Sequence, residues 1–124
     1  MANNDMPTLT RMVWATRNSL KGLRSVWRHE KAFRIECWIG LAIFPLGLWL
    51  AQTPLELALL FGSCLIVLAA ELGNSAIEAT IDRFSTDLHE LSGRAKDMGS
   101  AMVMLTMINV ILVWSLVAAN RFMG

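Results

Sequence analysis

The sequence is poor in charge. Only 17% of its 124 residues are Asp, Glu, Lys or Arg, against 55% hydrophobic, and the formal net charge is +1. Soluble domains carry about a quarter charged residues, so the composition predicts a bilayer rather than water as the main solvent. The lack of a basic excess removes the usual ground for a nucleic-acid partner. Cysteine is scarce too. Cys37 and Cys64 each lie within apolar sequence and have no metal-ligand spacing, so both are expected to act as small hydrophobes. The chain has no G-x-x-x-x-G-K-[ST] loop, and it lacks the glycine-rich loop, H-R-D and D-F-G motifs of protein kinases. Any nucleotide would therefore have to be held by separate side chains. Nor do the first 34 residues have the form of a cleavable signal, being polar and basic for too long.

What the sequence does contain is three apolar stretches. Cys37 to Leu55 has no formal charge and carries Pro45, a residue that can kink a helix. Met98 to Asn120 is also uncharged and long enough to cross the hydrocarbon layer. The middle stretch is apolar from Leu57 to Ala70 and then continues as Glu71-Leu-Gly-Asn-Ser-Ala-Ile-Glu78-Ala-Thr-Ile-Asp82. It reaches spanning length only by taking in carboxylates.

The turn around Gln52-Thr-Pro-Leu-Glu56 has no Lys or Arg, whereas the polar segment Arg83 to Asp97 holds Arg83, Arg94 and Lys96. Arg11, Arg17, Lys21, Arg24, Arg28, Lys31 and Arg34 precede the first span. Basic residues favour the cytoplasmic side. The expected topology is N-terminus and 83–97 loop inside, short turn and C-terminus outside, with Arg121 the cation at the far end.

Projected at about 100° per residue, Leu9, Met12, Val13, Leu20, Leu23, Val26 and Trp27 fall on one face of an N-terminal helix. Arg17, Lys21, Arg24 and Arg28 fall on the other, and only Trp14 is out of place. Such a helix is expected to lie in the membrane surface. Glu30 projects onto the apolar stripe, so either the helix ends before it or that face meets protein or a cation there. The expected architecture is a single all-α domain over residues 1–124, with a surface helix at about 7–34 and spans at about 35–52, 56–82 and 97–120.

The middle span carries the chemistry. Glu71, Asn74, Ser75, Glu78 and Asp82 share one helical line. Carboxylates inside a membrane segment cost several kcal/mol, roughly 2.5 to 3.5 for Asp at the helix centre, and default to a functional reading. Helix association through side-chain hydrogen bonds would account for Asn74 and Ser75 but poorly for the glutamates. Asp82 lies near the interface, where simple solvation is enough. The following segment, Asp87-Leu-His-Glu-Leu-Ser-Gly-Arg-Ala-Lys-Asp97, joins hard oxygen ligands to a lysine. That combination suits Mg²⁺ and phosphate.

Glu71-Leu-Gly-Asn-Ser-Ala-Ile-Glu78 and His89-Glu-Leu-Ser-Gly-Arg-Ala-Lys-Asp-Met-Gly-Ser100, with Lys21-Gly-Leu-Arg24, Glu30 and Ala32-Phe-Arg34, resemble the prokaryotic integral-membrane diacylglycerol kinase family. The resemblance covers nearly the whole chain. It implies a homotrimer of three-span subunits in the bacterial inner membrane, with a periplasmic C-terminus and active sites shared between subunits. Its reaction would be transfer of the γ-phosphoryl of MgATP to diacylglycerol, giving phosphatidic acid. By this similarity Glu71 is the general base, and Glu30 and Glu78 hold the metal. Arg11, Asn18, Glu30, Glu78, Asp87, Leu88, His89, Lys96 and Asp97 would bind nucleotide. Lipid would meet Arg11, Ala15, Ser19, Leu20, Arg24 and Trp27, then Lys31, Ile35, Glu71, Ser100 and Trp114. Two positions depart from the family pattern: Asp87 stands in place of a glutamate, and Gly73 in place of an aliphatic residue. Undecaprenol is the alternative acceptor, and a small proton-coupled transporter is the alternative from another class.

Overall fold

A computed structural model describes residues 6–84 and 89–124. Every element among these residues is helical: α1 Thr8–His29, α2 Lys31–Leu50, α3 Pro54–Phe84 and α4 Glu90–Met123. The last three are long and apolar enough to cross a membrane. α1 stops at His29, short of Arg34, because Glu30 takes an extended conformation with φ −114° and ψ 106°. Of the two readings left open for Glu30, helix termination is the one adopted. α2 runs on through Pro45 without a break.

The α2–α3 turn is built by local chemistry. Ala51 leaves the helix with ψ 126°, and Pro54, whose missing N–H costs nothing at a helix start, opens α3. Thr53 Oγ1 accepts from the Glu56 backbone N–H at 3.1 Å, and Glu56 Oε2 accepts from the Gln52 N–H at 2.6 Å. It is a variant of the Thr-x-x-Glu capping box, with the glutamate reaching one residue past the threonine to the Gln52 N–H. Glu56 Oε1 also accepts from Asn120 Nδ2 at 2.8 Å, tying the turn to the end of α4. Trp49 adds to this tie, with the Arg121 guanidinium 5.0 Å from its ring centre and Phe122 against it.

α3 packs mainly against α4. The side-chain core lies at the turn end, where Leu60 is fully buried with Leu50 and Val117, and Val113, Trp114 and Ala118 close around them. Trp114 Nε1 donates to the Leu60 carbonyl at 3.2 Å. Elsewhere large apolar side chains such as Leu65 and Ile111 point outward, about two-thirds exposed at 66% and 65%. Outward-facing leucine and isoleucine are what a hydrocarbon solvent demands.

Length places the acids. α3 has 31 residues and α4 has 34, so they extend about 46 Å and 51 Å, well beyond the hydrocarbon thickness of about 30 Å. The excess is polar and lies at the α3–α4 junction, with Glu78 and Asp82 on one helix and Lys96 and Asp97 on the other.

Candidate active site

α3 presents Glu71, Asn74, Ser75 and Glu78 along one half-buried strip, and Asp82 continues it into the exposed region. The strip survives inside apolar helices because its neighbours leave room for it. Gly99 of α4 is buried opposite Asn74, and a Cβ there would collide with Asn74 Oδ1. Asn74 Oδ1 itself is shut off from solvent with no hydrogen-bond partner.

α2 supplies a residue that sequence reasoning missed. Glu36 is half-buried, and its carboxyl group comes within hydrogen-bonding reach of Glu71. Its Oε2 is the second buried oxygen without a partner. Along this stretch of α3, then, two acids face each other toward α2, and, three residues on, an orphaned amide oxygen faces α4. Buried polar atoms of this kind call for a group to satisfy them. An alcohol, which can donate and accept, has the required chemistry.

Toward the polar end, Lys96 Nζ meets Asp82 Oδ1 at 2.9 Å. Lys96 precedes the uncharged stretch of α4 that begins at Met98, and the adjacent Asp82 carboxylate, aided by Glu78, raises its pKa above the ordinary 10.5. Asp82, expected to be simply solvated, thus has a specific partner on the next helix. His89 caps α4, its Nδ1 accepting from the Leu91 N–H at 3.1 Å. With Nδ1 accepting, the ring proton is carried on Nε2. Asp97 and Ser100 are exposed on α4. Asp87 and Leu88 lie outside the described residues.

Glu30 sits half-buried at the joint between α1 and α2. Along α1 the expected contact residues Arg11, Ala15, Asn18, Ser19, Leu20, Arg24 and Trp27 are all exposed, as are Lys31 and Ile35 at the start of α2. They do not converge within one chain. Arg11 precedes Glu30 by nineteen residues of continuous helix, about 28 Å. Trp114 is likewise apart from the acids, fourteen residues beyond Ser100 on α4 or about 21 Å, and packed into the core. Among the described residues no group of three or more His, Cys, Asp or Glu gathers in a metal-holding cluster. Glu30 and Glu78 nevertheless have the right chemistry for Mg²⁺, which needs only one or two carboxylates when substrate phosphates complete its shell.

A family model for prokaryotic diacylglycerol kinase matches residues 17–118. The diacylglycerol kinase of Haemophilus influenzae is 46% identical over 106 residues, covering 86% of this chain and 90% of that protein. The Escherichia coli K12 diacylglycerol kinase is 42% identical over 122 residues, covering 98% and 99%. That of Pseudomonas aeruginosa is 40% identical over 107 residues, covering 86% and 87%.

Proposed function

The chain belongs to the prokaryotic diacylglycerol kinase family, and we infer that the acids of α3 carry its reaction, the phosphorylation of diacylglycerol within the membrane. The observation that carries the assignment of roles is the half-buried Glu71 of α3, whose carboxyl faces Glu36 of α2. The donor in this reading is MgATP. The primary hydroxyl oxygen of diacylglycerol attacks the γ-phosphorus, the bond from that phosphorus to the β-bridging oxygen breaks, ADP leaves, and the hydroxyl proton passes to Glu71. The product is phosphatidic acid.

Glu30 and Glu78 would hold a magnesium ion, whose charge would offset that of the transferring phosphoryl group. Arg11, Asn18, Asp87, Leu88, His89, Lys96 and Asp97 contact the nucleotide. Lys96 meets phosphate oxygens, and His89 turns Nε2 to the nucleotide. Diacylglycerol lies along the exposed faces of α1 and early α2 (Arg11, Ala15, Ser19, Leu20, Arg24, Trp27, Lys31 and Ile35) and passes Ser100 toward Trp114. Positioning and charge neutralisation account for most of phosphoryl transfer, so this equipment is sufficient.

The assembly in this reading is a homotrimer with sites completed by neighbouring subunits. Two observations support it: the separation of Arg11 from Glu30 along one helix, and the absence of a three-ligand cluster among the described residues of one chain. A groove of small and apolar side chains on α3 and α4, lined by Ala76, Ile77, Thr80, Ile81 and Ala95, fits a neighbouring helix. α1 lies in the cytoplasmic surface of the bacterial inner membrane, its basic residues toward anionic headgroups, and the C-terminus faces the periplasm.

The test is purified protein in mixed micelles with radiolabelled ATP, offered diacylglycerol and undecaprenol together. Label is expected in phosphatidic acid, and label in undecaprenyl phosphate instead would transfer the assignment to that acceptor. Glu71→Gln is expected to abolish turnover while MgATP affinity is retained. Normal turnover in that variant would remove Glu71 from the role of base.

A further inference from the structure

The joint between α1 and α2 is a single residue wide, and nothing in its local sequence demands a break. Between Leu23 and Ile39 there is neither glycine nor proline, and no residue among those described has positive φ. Residues of this kind ordinarily let a helix continue. What crosses the joint is Arg34. Its Nη1 donates to the Trp27 carbonyl at 2.5 Å and to the Arg28 carbonyl at 3.1 Å, reaching back over Glu30. In a continuous helix those two carbonyls would accept from the N–H groups of Lys31 and Ala32. The guanidinium occupies both acceptors, and a cation is favoured at the carbonyl end of a helix. Burial of Val26 and Phe33 and the edge contact of Trp27 with Trp38, ring centres 6.2 Å apart, consolidate the bend.

We propose that Arg34 is a positioning residue for the reaction: by occupying the last carbonyls of α1 it holds the elbow and so sets Glu30 at the joint rather than on the apolar stripe of an unbroken helix. The functional half of this proposal rests on the reading of Glu30 as a metal ligand; the elbow itself does not.

The experiment measures both halves. Spin labels are placed at Thr10 and Ala42, in protein whose Cys37 and Cys64 are replaced by alanine, with labelled chains diluted among unlabelled ones. The sites are 32 residues apart, which a continuous helix would stretch to about 48 Å. The parent is expected to give a narrow distribution well short of that length, and Arg34→Gln to shift population toward it. Arg34→Lys, which keeps one cationic donor, is expected to fall between. In label-free protein, Arg34→Gln should raise the Mg²⁺ concentration for half-maximal rate roughly tenfold or more, as loss of a ligand-orienting partner does, with Arg34→Lys recovering part of the change. Glu30→Gln serves as the reference for direct loss of the ligand. An unchanged distance distribution in Arg34→Gln overturns the elbow assignment. A shift in distance without a shift in Mg²⁺ dependence overturns the positioning role, provided that Glu30→Gln does alter that dependence. If Glu30→Gln leaves Mg²⁺ dependence untouched, the metal reading of Glu30 falls instead, and the functional half falls with it.

Discussion

Gly99→Ala is a one-carbon perturbation aimed at the acid strip from the opposite helix. The added Cβ would collide with Asn74 Oδ1, approach Asn74 Cγ to 3.4 Å and touch Ile77 Cδ1 at 3.7 Å. The first contact is impossible without movement, and Gly99 is buried between the most closely packed helices, so Asn74 must turn or α4 must move away. Overpacking of this kind costs about 1 to 3 kcal/mol. Asn74 is three residues from Glu71 and four from Glu78, so the displacement should reach the reacting groups and lower kcat as well as stability. Unfolding by titration with a denaturing detergent, alongside initial rates in mixed micelles, reads both. Gly62→Ala is the matched control, since a Cβ at Gly62 meets nothing within 4 Å. The double variant Asn74→Ala with Gly99→Ala isolates the cause, because neighbours in steric conflict show a coupling of about 0.5 to 3 kcal/mol. Gly99→Ala protein with parental stability and parental rate would refute the close α3–α4 approach at this point. Strict additivity in the double variant would show that Asn74 is not what the methyl group strikes.

Trp114→Phe removes the indole donor to the Leu60 carbonyl and is expected to lower unfolding free energy by about 0.5 to 1.5 kcal/mol, read by the same detergent titration. Glu36→Ala removes the carboxyl group that faces Glu71, and steady-state kinetics should show kcat and kcat/KM falling together, as when a transition-state interaction is lost. For the Asp82–Lys96 pair, both side chains are about half exposed, at 58% and 44%, so Asp82→Asn should leave the unfolding midpoint nearly unmoved, whereas Lys96→Met should raise the KM for ATP. Because the lysine pKa is raised, whatever the pair contributes to folding is present below the ordinary value and is lost as pH climbs through the raised one. A parental contribution that grew with alkalinity would contradict the pairing.

The spans and the acid strip were legible because both are written in short-range period. A stretch such as Met98 to Asn120 declares its solvent without reference to any other segment, and the offsets among Glu71, Asn74, Ser75 and Glu78 fix a common face on any α-helix. Glu36 was not legible in that way. It stands one residue before the uncharged stretch beginning at Cys37, with no acidic companion at helical spacing on α2, and only the packing of α2 on α3 brings it to Glu71. The Asp82–Lys96 pair is hidden for the same reason, its partners being fourteen positions apart across a chain reversal. Glu30 shows a third kind of limit. Periodicity exposed its conflict with the apolar stripe but left termination and a compensating partner equally open, since the resolving contact comes from the side chain of Arg34. His89 was read from the sequence only as a nucleotide contact, and its place as the cap of α4 depends on where that helix begins.

The uneven placement of the core has a mechanical consequence. Leu50, Leu60 and Val117, the Glu56–Asn120 bond and the Trp49–Arg121 stack gather at one end of the bundle, while Glu78 and Asp82 stand near the other. At the core end side chains of all three long helices meet, whereas toward the acid end α3 and α4 are held by Gly99 against Asn74 and by Lys96 on Asp82. The apolar core and the acid strip thus divide the same helices between them, so a polar substitution such as Glu78→Gln should leave the packing around Leu60 intact.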